Sequence, residues 1–72
     1  LGYVLTQDYN VHKSVDSGKT WTQITATAFR GSKIYLIYRW GKNLLFYGAT
    51  KNFITRDDIN YYRLPINGYT TG

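Results

Sequence analysis

Few side chains in this sequence could carry acid–base, nucleophilic or metal chemistry. The carboxylates are Asp8, Asp16, Asp57 and Asp58; there is no Glu, no Cys and no Met, and His12 is the single imidazole. Glycosidic cleavage normally needs two carboxylates across the scissile bond. Asp16 and Asp57 stand in turn sequences, Asp58 adjoins Asp57 and points elsewhere, and Asp8 alone makes no pair. His12 lies in a strand-like stretch with no Cys or carboxylate at metal-ligand spacing, so a packed or surface role is expected for it. Stacking chemistry is better supplied. There are eight Tyr and two Trp, and Tyr35, Tyr38 and Trp40 interleave with Arg39. The expectation is a chain without a catalytic, metal or cofactor site, able at most to offer rings to a ligand.

The elements that would position these groups are strands. The most specific stretch is Ser14-Val15-Asp16-Ser17-Gly18-Lys19-Thr20-Trp21. The segments on either side, Val11–Val15 and Lys19–Ile24, are rich in β-branched or aromatic residues and alternate in polarity, which predicts strands. Between them, Asp16 can accept bonds from backbone amides a few residues on. Gly18 suits a left-handed backbone position. Ser14 and Thr20 place hydroxyls at the loop mouth, and Trp21 brings a large ring to bury under the hairpin.

The octet resembles the Asp-box of sialidase-type (BNR) repeats, with Ser14, Asp16, Gly18, Thr20 and Trp21 matching position for position. The resemblance implies a cap on the hairpin between the third and fourth strands of a β-propeller blade, peripheral and structural. Sialidases of this type are understood to pair a Tyr with a Glu, and no Glu exists here. Ser17-Gly18-Lys19-Thr20 also has the order that ends a P-loop, but the upstream position is Lys13, not Gly, and a strand follows where a helix is needed.

The remaining strands are predicted at Gly2–Gln7, Lys33–Trp40, Leu44–Gly48, Asn52–Arg56 and Tyr61–Leu64, with Pro65 ending the last and 67–72 a loop or tail. Lys33–Trp40 is apolar on both faces, Ile34, Leu36, Tyr38 and Trp40 on one, so a covered strand is expected. No helical period occurs. Asp57 stands 41 positions after Asp16, and at that offset Ser14 falls on Thr55, Thr20 on Tyr61 and Trp21 on Tyr62. A second, degenerate box is therefore expected at 55–62, carried by Thr55, Asp57 and Tyr62. Ile59 replaces Gly18 there, and Asn60 could supply the left-handed residue. Because its box is degraded, Asp57 is expected to matter less than Asp16. A period near 40 suits a four-stranded blade.

The expected fold is all-β, with seven strands forming about 1.75 four-stranded antiparallel blades of an Asp-box β-propeller. Residues 1–32 form an incomplete, three-stranded blade and 33–66 a second one. Leu1 and the missing Met suggest a piece of something longer. The rest of that chain, or other copies, would complete the propeller. No run is long enough to cross a bilayer as a helix. The net charge of +5 is spread over most of the length, which suits solvated strand faces. A basic barrel binding single-stranded nucleic acid is disfavoured by the 41-residue period. The expected function is a non-catalytic structural or assembly segment. The composition resembles that of viral structural proteins of the phage-tail type, in which case the chain would reside in a virion. The alternative is a carbohydrate-recognition slice of a glycan-binding or sialidase-like propeller.

Overall fold

A computed structural model describes residues 1–64; the tail expected at 67–72 and the end of the second unit, Pro65 included, lie outside the described residues. The chain is all-β, and no helix occurs among the described residues. Strands β1 (Gly2–Leu5), β2 (Val11–Ser14) and β3 (Thr22–Gln23) form one antiparallel sheet. Strands β4 (Ile34–Trp40), β5 (Asn43–Gly48), β6 (Asn52–Thr55) and β7 (Tyr62–Arg63) form a second, in sequential order. Each connection within a sheet is a short reversal, so neighbouring strands run antiparallel.

The predicted strands are present but mostly shorter. The third shrinks from Lys19–Ile24 to two residues. The backbone before it is bound to Asp16 and Ser14 in the turn, and the Ile24 amide after it donates to the Val11 carbonyl at 2.8 Å. Strand β4 departs further from expectation. It pairs only with β5 and is an edge of its sheet, largely exposed rather than covered. Its register with β5 slips between Ile34 and Leu36. A bulge of this kind inserts one unpaired residue and reverses the alternation beyond it. Ile34 is therefore fully buried, whereas Leu36, Tyr38 and Trp40, predicted to share its face, stand exposed on the other side.

One core joins the two sheets. It contains Val11, Ile24, Phe29, Ile34, Leu44, Phe46 and Phe53, with Tyr3, Ile37 and Tyr61 packed against it. Its centre is Phe29, which sits in the connection between the sheets and is fully buried. The Phe29 ring stacks on Phe53 at 4.3 Å and meets Phe46 at 4.9 Å and Tyr61 at 5.5 Å. The connection is held as a series of turns by amide bonds from Thr27 and Phe29 to the Ile24 carbonyl, both 3.2 Å.

The sheets share more than a strand count. Gly2↔Ser14 through Leu5↔Val11 in the first correspond to Leu44↔Thr55 through Tyr47↔Asn52 in the second. Strand β2 thus maps onto β6 at an offset of 41, while β1 maps onto β5 at 42 and β3 onto β7 at 40. The reversal before β6 is one residue shorter than its counterpart before β2, and so is the one after it.

These equivalences show how the sheets stack. The first sheet meets the second through the face that carries Tyr3, Val11 and Lys13. Alternation puts Leu45, Tyr47, Ile54 and Tyr62 on the corresponding face of the second sheet. That face is not used. The second sheet packs through its opposite face, with Leu44, Phe46 and Phe53. The contact is head to tail, and it leaves the face with Leu36, Tyr38, Trp40, Leu45, Tyr47, Ile54 and Tyr62 open.

Candidate functional site

The two hairpin crowns are built from the same parts. In the first, the Ser14 hydroxyl donates to Asp16 Oδ1 at 2.8 Å and accepts from the Gly18 amide at 2.8 Å. Asp16 also accepts from the Thr20 amide at 2.9 Å and from the Thr20 hydroxyl. Ser17 and Gly18 both adopt left-handed backbone, φ 63° and 88°. Trp21 does not bury beneath the hairpin. It is 42 % exposed, lies over Gly2 and Gly18, and donates from Nε1 to the Gly18 carbonyl at 3.1 Å. A side chain at residue 18 would be strained by the backbone angle and would touch the indole.

In the second crown Thr55 takes the part of Ser14, donating to Asp57 Oδ1 at 3.3 Å and accepting from the Asp58 amide at 3.1 Å. Asp57 accepts from the amides of Ile59 and Asn60 at 3.0 and 2.8 Å, and from Asn60 Nδ2 at 2.9 Å. Asn60 therefore does what Thr20 does, through an amide in place of a hydroxyl. The left-handed residue is Asp58, φ 61°, and neither Ile59 nor Asn60 has positive φ. Losing one residue from the turn removes the position that Gly18 fills, so Ile59 is not strained. The same loss puts Tyr61, not Tyr62, at the place of Trp21. Tyr62 lies on β7 and is exposed.

Hydrogen bonds stabilise the charged form of both carboxylates. The Thr20 hydroxyl and amide, then Ser14, hold Asp16 down to about 2. The amides of Asn60 and Ile59 hold Asp57 well below the usual carboxylate range. Asp57 receives two backbone amides where Asp16 receives one, so its expected lesser importance does not match its bonding.

Sequence reasoning missed the polar junction between the sheets. The Tyr3 hydroxyl donates to Asp58 Oδ1 at 2.8 Å and lies 3.1 Å from the Tyr61 hydroxyl. Lys13 Nζ donates to the Asp58 carbonyl and stands 5.8 Å from the centre of the Tyr61 ring. Arg39 Nη2 lies 3.8 Å from Asp58 Oδ1. Burial first, then the bonds to Tyr61 and Asp58, push the Tyr3 hydroxyl far above the ordinary tyrosine value. The bonds from Tyr3 and Lys13 to Asp58 tie the first sheet to the second crown. The signal in the sequence was the Asp-Asp pair: one carboxylate closes the hairpin crown and the other is left over.

The residues predicted for ligand stacking are not brought together as a trio. Tyr38 and Trp40 share the open face and are 51 % and 66 % exposed. Tyr35, beside the bulge, packs against Tyr9 at 4.6 Å. His12 is half-buried, and its Nδ1 is buried without a hydrogen-bond partner. Among the described residues no group of three His or Asp side chains could hold a metal ion.

Comparison with known proteins gives no matching family model, no matching curated protein and no matching solved structure.

Proposed function

We propose that this chain is a non-catalytic structural segment of an Asp-box β-propeller, shaped to be assembled with further sheets. One observation carries this reading: two sheets stack head to tail through non-equivalent faces, and the face left open on the second is apolar and aromatic. A head-to-tail contact does not close on itself in two units and calls for another. An exposed cluster of Leu36, Tyr38, Trp40 and Tyr62 on one face suits an interaction surface. The crowns support the same reading, since they pin hairpins and leave their carboxylates fully engaged. A virion of the phage-tail type is the setting that the composition favours.

The test is analytical ultracentrifugation of the chain and of Trp40→Ser and Tyr38→Ser variants. Concentration-dependent association, weakened by either substitution, is expected. A wild-type chain that stays folded and monomeric at high protein concentration refutes the reading. The exposure of Tyr38 and Trp40 on one face supports an alternative, carbohydrate recognition. A glycan-array signal abolished by the same substitutions in a monomeric protein would favour it.

A further inference from the structure

Two backbone irregularities meet at one exposed pair of rings. Tyr9 lies in the turn between β1 and β2 and has a left-handed backbone, φ 65°. A bulky residue rarely adopts that conformation unless its surroundings impose it. Here the Tyr9 amide donates to the Thr6 carbonyl at 3.0 Å, and the Tyr9 carbonyl accepts from the Ile34 amide at 2.9 Å, which fastens the turn to the start of β4. Tyr35 follows directly and is passed over by the β4–β5 ladder where its register slips. A bulge re-aims the side chain that it frees. The Tyr35 ring stands 4.6 Å from the Tyr9 ring, with the planes 59° apart. The two residues remain 48 % and 47 % exposed, so the contact is open to solvent. We propose that Tyr9 and Tyr35 form an oxidative cross-linking site, which a one-electron oxidant joins into a dityrosine that staples the first sheet to the second.

The oxidant takes one electron from each phenol, and each hydroxyl proton passes to solvent. The two phenoxyl radicals then form a carbon–carbon bond between ring positions ortho to their oxygens. Each of those carbons gives up its hydrogen as a proton while its oxygen regains one, and both rings become aromatic again. Two phenols thus lose two electrons and two protons. A haem peroxidase delivers these to one hydrogen peroxide, which becomes two waters. Coupling competes with the other fates of a radical, so rings held in contact are favoured over rings that must first meet. A second tyrosine pair is less suited. Tyr3 and Tyr61 meet through hydroxyls 3.1 Å apart, and their rings pack on Phe46 at the junction. The sequence has no Cys, so no disulfide can hold the sheets together. The Tyr9–Tyr35 bond would close a loop containing β2, β3 and the connection with Phe29, and a cross-link restricts the unfolded chain.

The site does not depend on the assembly reading, because both rings belong to one chain. The experiment treats the dilute, folded 72-residue chain with a haem peroxidase and limiting hydrogen peroxide. After trypsin digestion of the monomer, mass spectrometry should find residues 1–13 joined to 34–39, lighter by the two hydrogens lost, with fragment ions placing the bond at Tyr9 and Tyr35. Tyr9→Phe and Tyr35→Phe should each abolish that linked peptide and remove most of the monomer's dityrosine fluorescence. The amide spectrum of each variant reports that it is folded. In urea the same treatment should scatter the links among the tyrosines. The linked chain should melt roughly 5–15 °C above the parent. Bonds mapped mainly to other tyrosines or between chains, an unchanged yield in either variant, no dityrosine at all, or a linked chain that melts no higher would overturn the proposal.

Discussion

Replacing Phe29 by Ala tests whether the two sheets are one folding unit. Its ring is fully buried and contacts aromatic rings from β5, from β6 and from the segment before β7. Removing a buried phenylalanine loses its transfer free energy and leaves a cavity, together about 3–5 kcal/mol. At roughly 0.05–0.15 kcal/mol of stability per residue, a chain of this size has about 4–11 kcal/mol in all, so the variant should lose a large share of it. The partners cannot close the hole easily, because Phe46 and Phe53 are fixed in paired strands. Urea titration followed by circular dichroism gives the loss, and amide exchange shows where it falls. Protection should drop together in β1–β3 and β4–β7. Phe29→Leu should fall between the variant and the parent. A loss under about 1 kcal/mol, well below the usual range for this substitution, would show that Phe29 is not the keystone. So would β4–β7 amides that stay protected while those of β1–β3 open.

Other expectations concern the crowns, the junction and one glycine. Asp57→Ala should lower the melting temperature at least as much as Asp16→Ala, since Asp57 accepts four bonds and Asp16 three; a much smaller effect at Asp57 would refute this. Both carboxylates titrate below their unfolded value, so their stabilisation is present above about pH 4 and fades as the pH falls through the folded values, about 2 for Asp16. Thermal melts between pH 5 and 2, with carboxyl carbon shifts to assign the groups, would show it, and Asp16→Asn should flatten the profile. Tyr3 titrates above its unfolded value, so its stabilisation is complete below about pH 10 and is lost at higher pH. Tyr3→Phe should destabilise by about 0.5–1.5 kcal/mol in urea melts and blunt that alkaline loss. A Cβ at residue 48 would collide with the backbone carbonyl oxygens of Lys51 and Lys33, so Gly48→Ala should cost about 1–3 kcal/mol by the same assay.

Local chemistry was legible in the sequence because it is decided within a few residues. Ser14, Asp16 and Thr20 close their hairpin crown through bonds among near neighbours. The β-branched runs around it specify strands, and the lack of a helical period excludes helix. The 41-residue spacing led to the second crown, and the bonds of Thr55 and Asp57 match those of Ser14 and Asp16. The sequence could not show that the second turn is one residue shorter. An alignment at constant offset therefore put Tyr62 where Tyr61 stands and sought a left-handed residue at Asn60 instead of Asp58. Register is set by pairing along the whole strand, and only the folded ladder fixes it.

Tertiary structure alone decided which faces are buried. The bulge near Tyr35 sends Ile34 inward and Leu36, Tyr38 and Trp40 outward, although simple alternation groups all four. Phe29, in a stretch that reads as a connection, became the centre of the core because its ring packs on Phe46, Phe53 and Tyr61, an arrangement that neither strand pattern nor turn chemistry could specify. Asp58, Tyr3 and Lys13 are far apart in the chain, and their junction exists only after the sheets stack. Hairpin crowns depend on contacts between near neighbours. Sheet packing depends on pairs tens of residues apart, and those are chosen by the volume and polarity of whole faces rather than by any short motif.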